Sequence, residues 1–198
     1  MVPAGRPREF DIDDALDAAI EAFWARGYEA TSMADLMDAT GLAKGSLYKA
    51  FGDKHALYLA ALERYMSQQF GAMQELLAQA NSPSEAIRTW LGMAPMWGTQ
   101  GGCSIRRGCM ALNSLVELAP HDEAVERIMA DHLKEMERFV GEIISRGQEM
   151  GEFRTDLPTE TMARYVTVLS AGLLVQSKGN FPDAGNAALP DLALAALR

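Results

Sequence analysis

The chain has little of what most enzymes and metalloproteins are built on. Its 198 residues include three histidines, His55, His121 and His132, and two cysteines, Cys103 and Cys109. No Ser-His-Asp or Cys-His pairing follows from their spacing. A nucleotide phosphate loop and a dinucleotide glycine fingerprint are also missing, so nothing in the sequence carries catalysis and no cofactor is called for. Five residues separate the two cysteines, without a Cys or His cluster beside them. That pattern speaks against a disulfide scaffold and a structural metal site. Long apolar runs are absent too. The opening MVPAGRPREF lacks the apolar core of a secretion signal, and the stretch from Val166 to Val175 is too short to span a bilayer. A cytoplasmic protein without membrane contact is expected.

Positive charge is scarce as well. The net charge is −9, and residues 1–55 hold six basic against ten acidic side chains. Distribution matters more than the sum. Glu9, Asp11, Asp13, Asp14, Asp17 and Glu21 belong to the first helix or its approach. Arg6, Arg8, Lys44, Lys49 and Lys54 belong to a leading arm and to the segment around residue 50. A locally positive face is therefore compatible with an acidic chain.

Helical punctuation, by contrast, is plentiful. In TSMADLMDATGLAKGSLYKAFGDKH, residues 31–55, two short helical patterns meet across a glycine turn. Thr31 and Ser32 are cap residues, Asp35 lies three beyond Ser32, and Met33, Leu36 and Met37 share one apolar face. Gly41 supplies the positive φ of a tight exit, Leu42 plugs the gap between helices, and a second helix starts near Ala43. There Leu47 and Phe51 point inward. Gly45, Ser46, Tyr48 and Lys49 face out, with Lys44 on the first turn. This face is slim enough for a major groove, and its lysines and tyrosine hydroxyl can donate to bases or phosphates. Lys54 opens the next helix, where the dipole favours an anion. A helical hairpin with solvated lysines fits the bare pattern too.

Gly27-Tyr28, Thr31-Ser32, the Ala-Thr-Gly-Leu turn at 39–42, Gly45-Ser46-Leu47-Tyr48, Phe51 and Asp53-Lys54 together resemble the N-terminal DNA-binding domain of TetR-family transcriptional regulators, over about residues 6 to 60. The resemblance implies an all-α chain. Residues 1–57 would form a three-helix helix-turn-helix DNA-binding domain, and residues 58–198 a larger helical ligand-binding and dimerisation domain. It also implies a homodimeric repressor, bound to a double-stranded palindromic operator and released by a small molecule. Carried over residue by residue, the recognition helix is about Ala43 to Phe51, with Thr31, Ser32, Tyr48 and Lys54 on phosphates. An adaptor dimer without DNA binding is the remote alternative.

Around this segment, Arg6 and Arg8 bracket Pro7 in an arm suited to the backbone or minor groove, although an idle tail has the same composition. Asp11 caps a first helix whose Ile12, Leu16, Ala19 and Phe23 face inward, and Tyr28 is expected to pack where head and body join. Asp53 caps a long helix to about Ala80 that would transmit the ligand signal. A helix from Ser84 brings Trp90, Met93, Met96 and Trp97 together, and Met110 and Met129 lie inward on later helices. Such sulfur-rich apolar clusters suit a pocket for a small apolar effector, but they are also what ordinary cores contain. Cys109 follows Arg106 and Arg107 at a helix start, where dipole and guanidiniums would stabilise a thiolate. An electrophile- or oxidant-sensing thiol is thus an alternative to a buried one. His55 is expected on the head surface, His121 and His132 in solvent.

From Thr161 to Ser177 the pattern is apolar almost all round, and Ala187 to Leu197 adds leucines. A helix without a polar face needs burial on two sides. Tyr165, Leu169, Gly172, Leu173 and Leu192 are the expected dimer contacts, these two helices resembling the four-helix interface of the same family; a purely intramolecular core is the other outcome.

Overall fold

The computed structural model describes residues 10–97, 107–179 and 187–198, apart from the side chains of 94–97. The described residues form nine helices and no strand: α1 Ile12–Arg26, α2 Met33–Thr40, α3 Lys44–Phe51, α4 Lys54–Leu77, α5 Pro83–Trp97, α6 Met110–Glu117, α7 Glu123–Glu149, α8 Thr159–Ser177 and α9 Leu189–Leu197. The all-α expectation holds. None of these helices is long and apolar enough to cross a membrane.

Local chemistry explains most of the boundaries. Asp11 accepts from the Asp13 amide at 2.7 Å and starts α1; Gly27, at φ 81°, ends it with its N–H on the Phe23 carbonyl. Asp53 accepts from the Ala56 amide at 2.8 Å ahead of α4, and Asp122 from Ala124 and Val125 ahead of α7. Ser32 and Asp35 form a reciprocal capping box on α2. Each such cap satisfies amides that the first helical turn cannot pair internally. α4 stops at Leu77, a turn short of the expected Ala80.

Two compact units divide within α4, between Tyr65 and Met66. The division lies about two turns beyond residue 57. Its physical reason is that the third turn of α4 is tied to α1. Arg64 grips Asp17 through Nε at 2.7 Å and a terminal nitrogen at 2.8 Å and reaches Asp13 at 3.1 Å, and Tyr65 meets Trp24 edge-on at 5.2 Å. The core of the N-terminal unit is the inner face of α1, with Leu36, Leu47, Leu57 and Leu62 all but fully buried against it or one another. Full burial of one such leucine contributes about 1.5–3 kcal/mol.

In the C-terminal unit α8 packs on both α7 and α5, and α9 on α5. Arg164 of α8 holds Glu137 of α7 with two nitrogens at 3.0 and 3.1 Å, while Arg88 of α5 pairs with Asp191 of α9. These bridges are exposed, so burial of Ile87, Leu91, Val125, Ile144, Val166 and Leu194 dominates the energetics.

Candidate nucleic-acid interface

The helix-turn-helix is built from a rigid entry, a glycine turn and an open second helix. Ser32 Oγ accepts from the Asp35 amide at 3.2 Å, and Asp35 Oδ2 accepts from the Ser32 amide at 2.8 Å. Arg26 at the end of α1 pairs with the same carboxylate. The Ser32 hydroxyl and amide, followed by Arg26, hold the Asp35 carboxyl down at about 2, so it stays ionised across ordinary pH. Gly41, at φ 67°, makes the left-handed exit from α2, a conformation that costs an L side chain energy. Leu42 is half-buried beyond it, and Leu36 and Leu47, at 0 and 2% exposure, lock α2 to α3.

Locking α3 by one face leaves the other in solvent. Lys44, Gly45, Tyr48 and Lys49 are exposed and Ser46 is half-exposed. The Lys44 ammonium lies over the Tyr48 ring at 5.6 Å from its centroid. No side chain caps the start of α3, where Ala43 holds the N-cap position. A Cβ built on Gly45 meets nothing within 4 Å, so the helix there presents bare backbone. This surface can place two ammonium groups, two hydroxyls and main chain against a polyanion. Lys54 at the start of α4 sits 4.3 Å from the Tyr28 ring centroid, a cation–π contact that aims it.

Two residues of the region behave differently from expectation. Thr31 is fully buried, and its hydroxyl donates to the Gly27 carbonyl at 2.7 Å. Its hydroxyl is turned inward, away from any phosphate, bracing the turn before α2. Tyr28 packs within the N-terminal unit, against Phe23, Tyr58 and His55, instead of marking a junction. Arg6 and Arg8 lie outside the described residues.

In the C-terminal unit Trp90, Met110 and Met129 are buried and Met93 is half-buried, while the side chains of Met96 and Trp97 lie outside those described. His132, expected in solvent, is half-buried with its ring on Phe70. Cys109 is buried at 8% exposure. A thiol needs access to react, so the structure does not favour a sensing role. On α8, Tyr165 and Gly172 are exposed and Leu169 is half-exposed, and Leu192 of α9 is 64% exposed. Leu173 departs from expectation: it is 4% exposed and belongs to the protomer's own core. The outward apolar positions that sequence reading missed are Val168 and Val175, at 64 and 54%. They lie three and ten residues beyond Tyr165, on its helical face.

An all-helical chain with a capped helix-turn-helix and a slim, basic, exposed second helix defines a helix-turn-helix regulator of transcription. The family profile "Bacterial regulatory proteins, tetR family" matches residues 15–61, and "Tetracyclin repressor-like, C-terminal domain" matches residues 87–180. The chain belongs to the TetR family of transcriptional regulators. It is 33% identical to the HTH-type transcriptional regulator YezE of Bacillus subtilis strain 168 over 168 residues, 82% of this chain and 83% of that one. To the transcriptional repressor ComR of Escherichia coli K12 it is 29% identical over 178 residues, covering 88 and 82%. A cysteine mutant of the TetR-family regulator CifR, solved with 26-bp double-strand operator DNA, superposes with a TM-score of 0.83 at 33% identity, covering 98% of this chain and all of that one.

Proposed function

We propose that the protein is a cytoplasmic repressor without catalytic activity, which binds a palindromic operator as a homodimer and is released by a small molecule. The observation that carries this reading is the exposed face of α3. Lys44, Ser46, Tyr48 and Lys49 surround the bare backbone of Gly45 on a helix locked from behind by Leu47. Small residues let the helix enter a major groove, and the flanking donors fix its register on phosphates and base edges. Ser32 and Lys54, with Arg6 and Arg8 of the arm, add phosphate contacts. The operator complex of CifR, similar over nearly the whole chain, supports the same assignment.

The second part of the reading rests on α8. Tyr165, Val168, Gly172 and Val175 form an exposed, largely apolar stripe, and Leu192 of α9 is exposed as well. Unless covered, such a stripe is costly, and a second copy related by a two-fold axis covers it with itself. A dimer then presents two α3 helices to successive major grooves about 34 Å apart. The effector acts by preferring the conformation that does not fit this spacing.

Fluorescence anisotropy of the purified protein, with DNA from beside its own gene and an unrelated duplex of equal length, tests the proposal. Tight, salt-sensitive binding to the first duplex at two protomers per site is expected. Equal, weak binding to both, with a dimer in solution, would overturn it in favour of an adaptor.

A further inference from the structure

Three helices of the C-terminal unit each present an aromatic ring beside methionine at helical spacing. On α4 the buried Phe70 lies between Met66 and Met73, on α5 the buried Trp90 precedes Met93 by three residues, and on α7 Phe139 follows Met136 by three. Residues three or four apart share a helix face. The rings converge. Phe70 meets Phe139 edge-on at 5.4 Å, Phe139 lies 6.3 Å from Trp90, and His132 meets Phe70 edge-on at 6.2 Å. Phe139 and His132 are only half-buried, so the cluster reaches the surface along α7.

One polar atom inside this cluster is unmatched. Trp90 is 2% exposed, and its indole Nε1–H finds no acceptor among the described residues. Indole nitrogen can only donate, and a buried donor left unmade costs free energy comparable to a lost hydrogen bond. An acceptor brought to that nitrogen recovers it. The other groups of the cluster carry no formal charge: Phe and Met are neutral, and burial pushes the His132 imidazole below its ordinary pKa, against the pull of Glu135. A carboxylate entering here would shed its hydration for a single N–H contact, and an ammonium has no acceptor to offer that N–H. Methionine side chains are unbranched and repack around an inserted ring.

Resting on the reading of this protein as a ligand-released repressor, we propose that its effector is a neutral, largely aromatic molecule that inserts among Phe70, Trp90 and Phe139 and accepts a hydrogen bond from Trp90 Nε1 through a carbonyl or ether oxygen. Recognition is then by shape and one donor, without an ion pair.

Indole N–H resonances of the full-length, nitrogen-15-labelled protein test this, Trp90 being assigned with Trp90→Phe. The probes are 2-acetonaphthone, 2-ethylnaphthalene, which has the same shape without an acceptor, and the anion 2-naphthoate. The ketone should move the Trp90 resonance saturably downfield and bind about tenfold tighter than the hydrocarbon. In Trp90→Phe the two should bind alike. The measurement on unaltered protein stands alone if that variant folds poorly. A Trp90 resonance unmoved by the ketone, equal binding of ketone and hydrocarbon, or tighter binding of naphthoate would each overturn the proposal. Operator anisotropy separates it from the reading beneath it. Release by a ligand that leaves Trp90 undisturbed sinks this site and keeps the repressor. A ketone that binds at Trp90 and leaves the operator complex intact keeps the acceptor site and removes its effector role.

Discussion

α3 and α8 each leave one face open to solvent, and the two faces are opposite in chemistry. That of α3 carries Lys44, Tyr48 and Lys49 around Gly45; that of α8 carries Tyr165, Val168 and Val175 around Gly172. A lysine-rich face is stable in water and gains from a polyanion, whereas exposed valines gain only from another apolar surface. One chain therefore displays two surfaces whose chemistries suit different partners. Glycine serves both for the same reason: no atom lies within 4 Å of a Cβ built on Gly45 or Gly172, so in each place the approach it permits is from outside the chain.

The sharpest way to break the contrast is to make the α8 face resemble the α3 face. Val168→Asp places a charge in the proposed dimer contact, and sedimentation should show the dimer converted to monomer. Because two linked heads bind far more tightly than one, operator affinity should fall by about 10²-fold, while far-ultraviolet circular dichroism stays unchanged. A dimer that persists with full operator affinity would refute the α8 assignment. A charge placed at Leu174, also on α8, would not test this contact. Leu174 is 7% exposed within its own protomer, so the change attacks folding first.

Weakening the α3 face comes next in size. Lys49→Ala removes one proposed phosphate contact per protomer. Affinity for specific and unrelated DNA should fall together, and the slope of log affinity against log salt should shrink by about 2 in the dimer. Tyr48→Ala should act in the same direction with less effect on the slope, because it removes a neutral donor. An unchanged slope for Lys49→Ala would place that lysine off the DNA.

The contrast also explains what could be read from sequence. Caps are local chemistry, so Asp11, Ser32 with Asp35, and Asp53 announce their helices, and the α3 face follows from Leu47 and Phe51 being the apolar pair. α8 was legible as a helix and illegible in phase. With apolar residues all round, nothing in the pattern says that Leu173 turns in while Val168 and Val175 turn out. Thr31 was misjudged for a related reason. It sits next to Ser32 at the end of a turn closed by its own N–H on the Tyr28 carbonyl, and its hydroxyl turns back to Gly27 while that of Ser32 caps α2, a difference set by the turn and not by residue type. The depth of Cys109 and the half-burial of His132 depend on tertiary packing, which no spacing encodes.

The capping box supports the α3 face from beneath, and its loss should be smaller than either change above. Ser32→Ala removes the acceptor for the Asp35 amide and the first cause of the depressed Asp35 pKa, at a cost of about 1 kcal/mol. Asp35 also gives the box an acid limb. Its folded pKa, about 2, lies below the unfolded carboxylate value near 3.9, so its contribution is complete above about pH 4 and lost as pH falls toward 2. Thermal midpoints between pH 5 and 2 should decline less steeply in Ser32→Ala than in the unaltered protein. Parallel curves would show that the carboxylate owes its low pKa to the backbone amide of residue 32 and to Arg26, both of which the variant keeps.

Gly45→Ala should produce the smallest change in the free protein and the most telling one. Glycine inside a helix is less stable than alanine by about 0.5–1 kcal/mol, and a helical glycine with no positive φ and open space beside it gives the fold nothing in return. Alanine should therefore raise the thermal midpoint slightly. If α3 enters a groove by the proposed face, the added methyl meets DNA where backbone now approaches, and operator affinity should drop while stability rises. Opposite signs in the two measurements would locate the reason for the glycine outside the chain. A variant that gains stability and keeps full affinity would mean that the face contacts DNA through Lys44 and Lys49 at longer range, with no close backbone approach at Gly45.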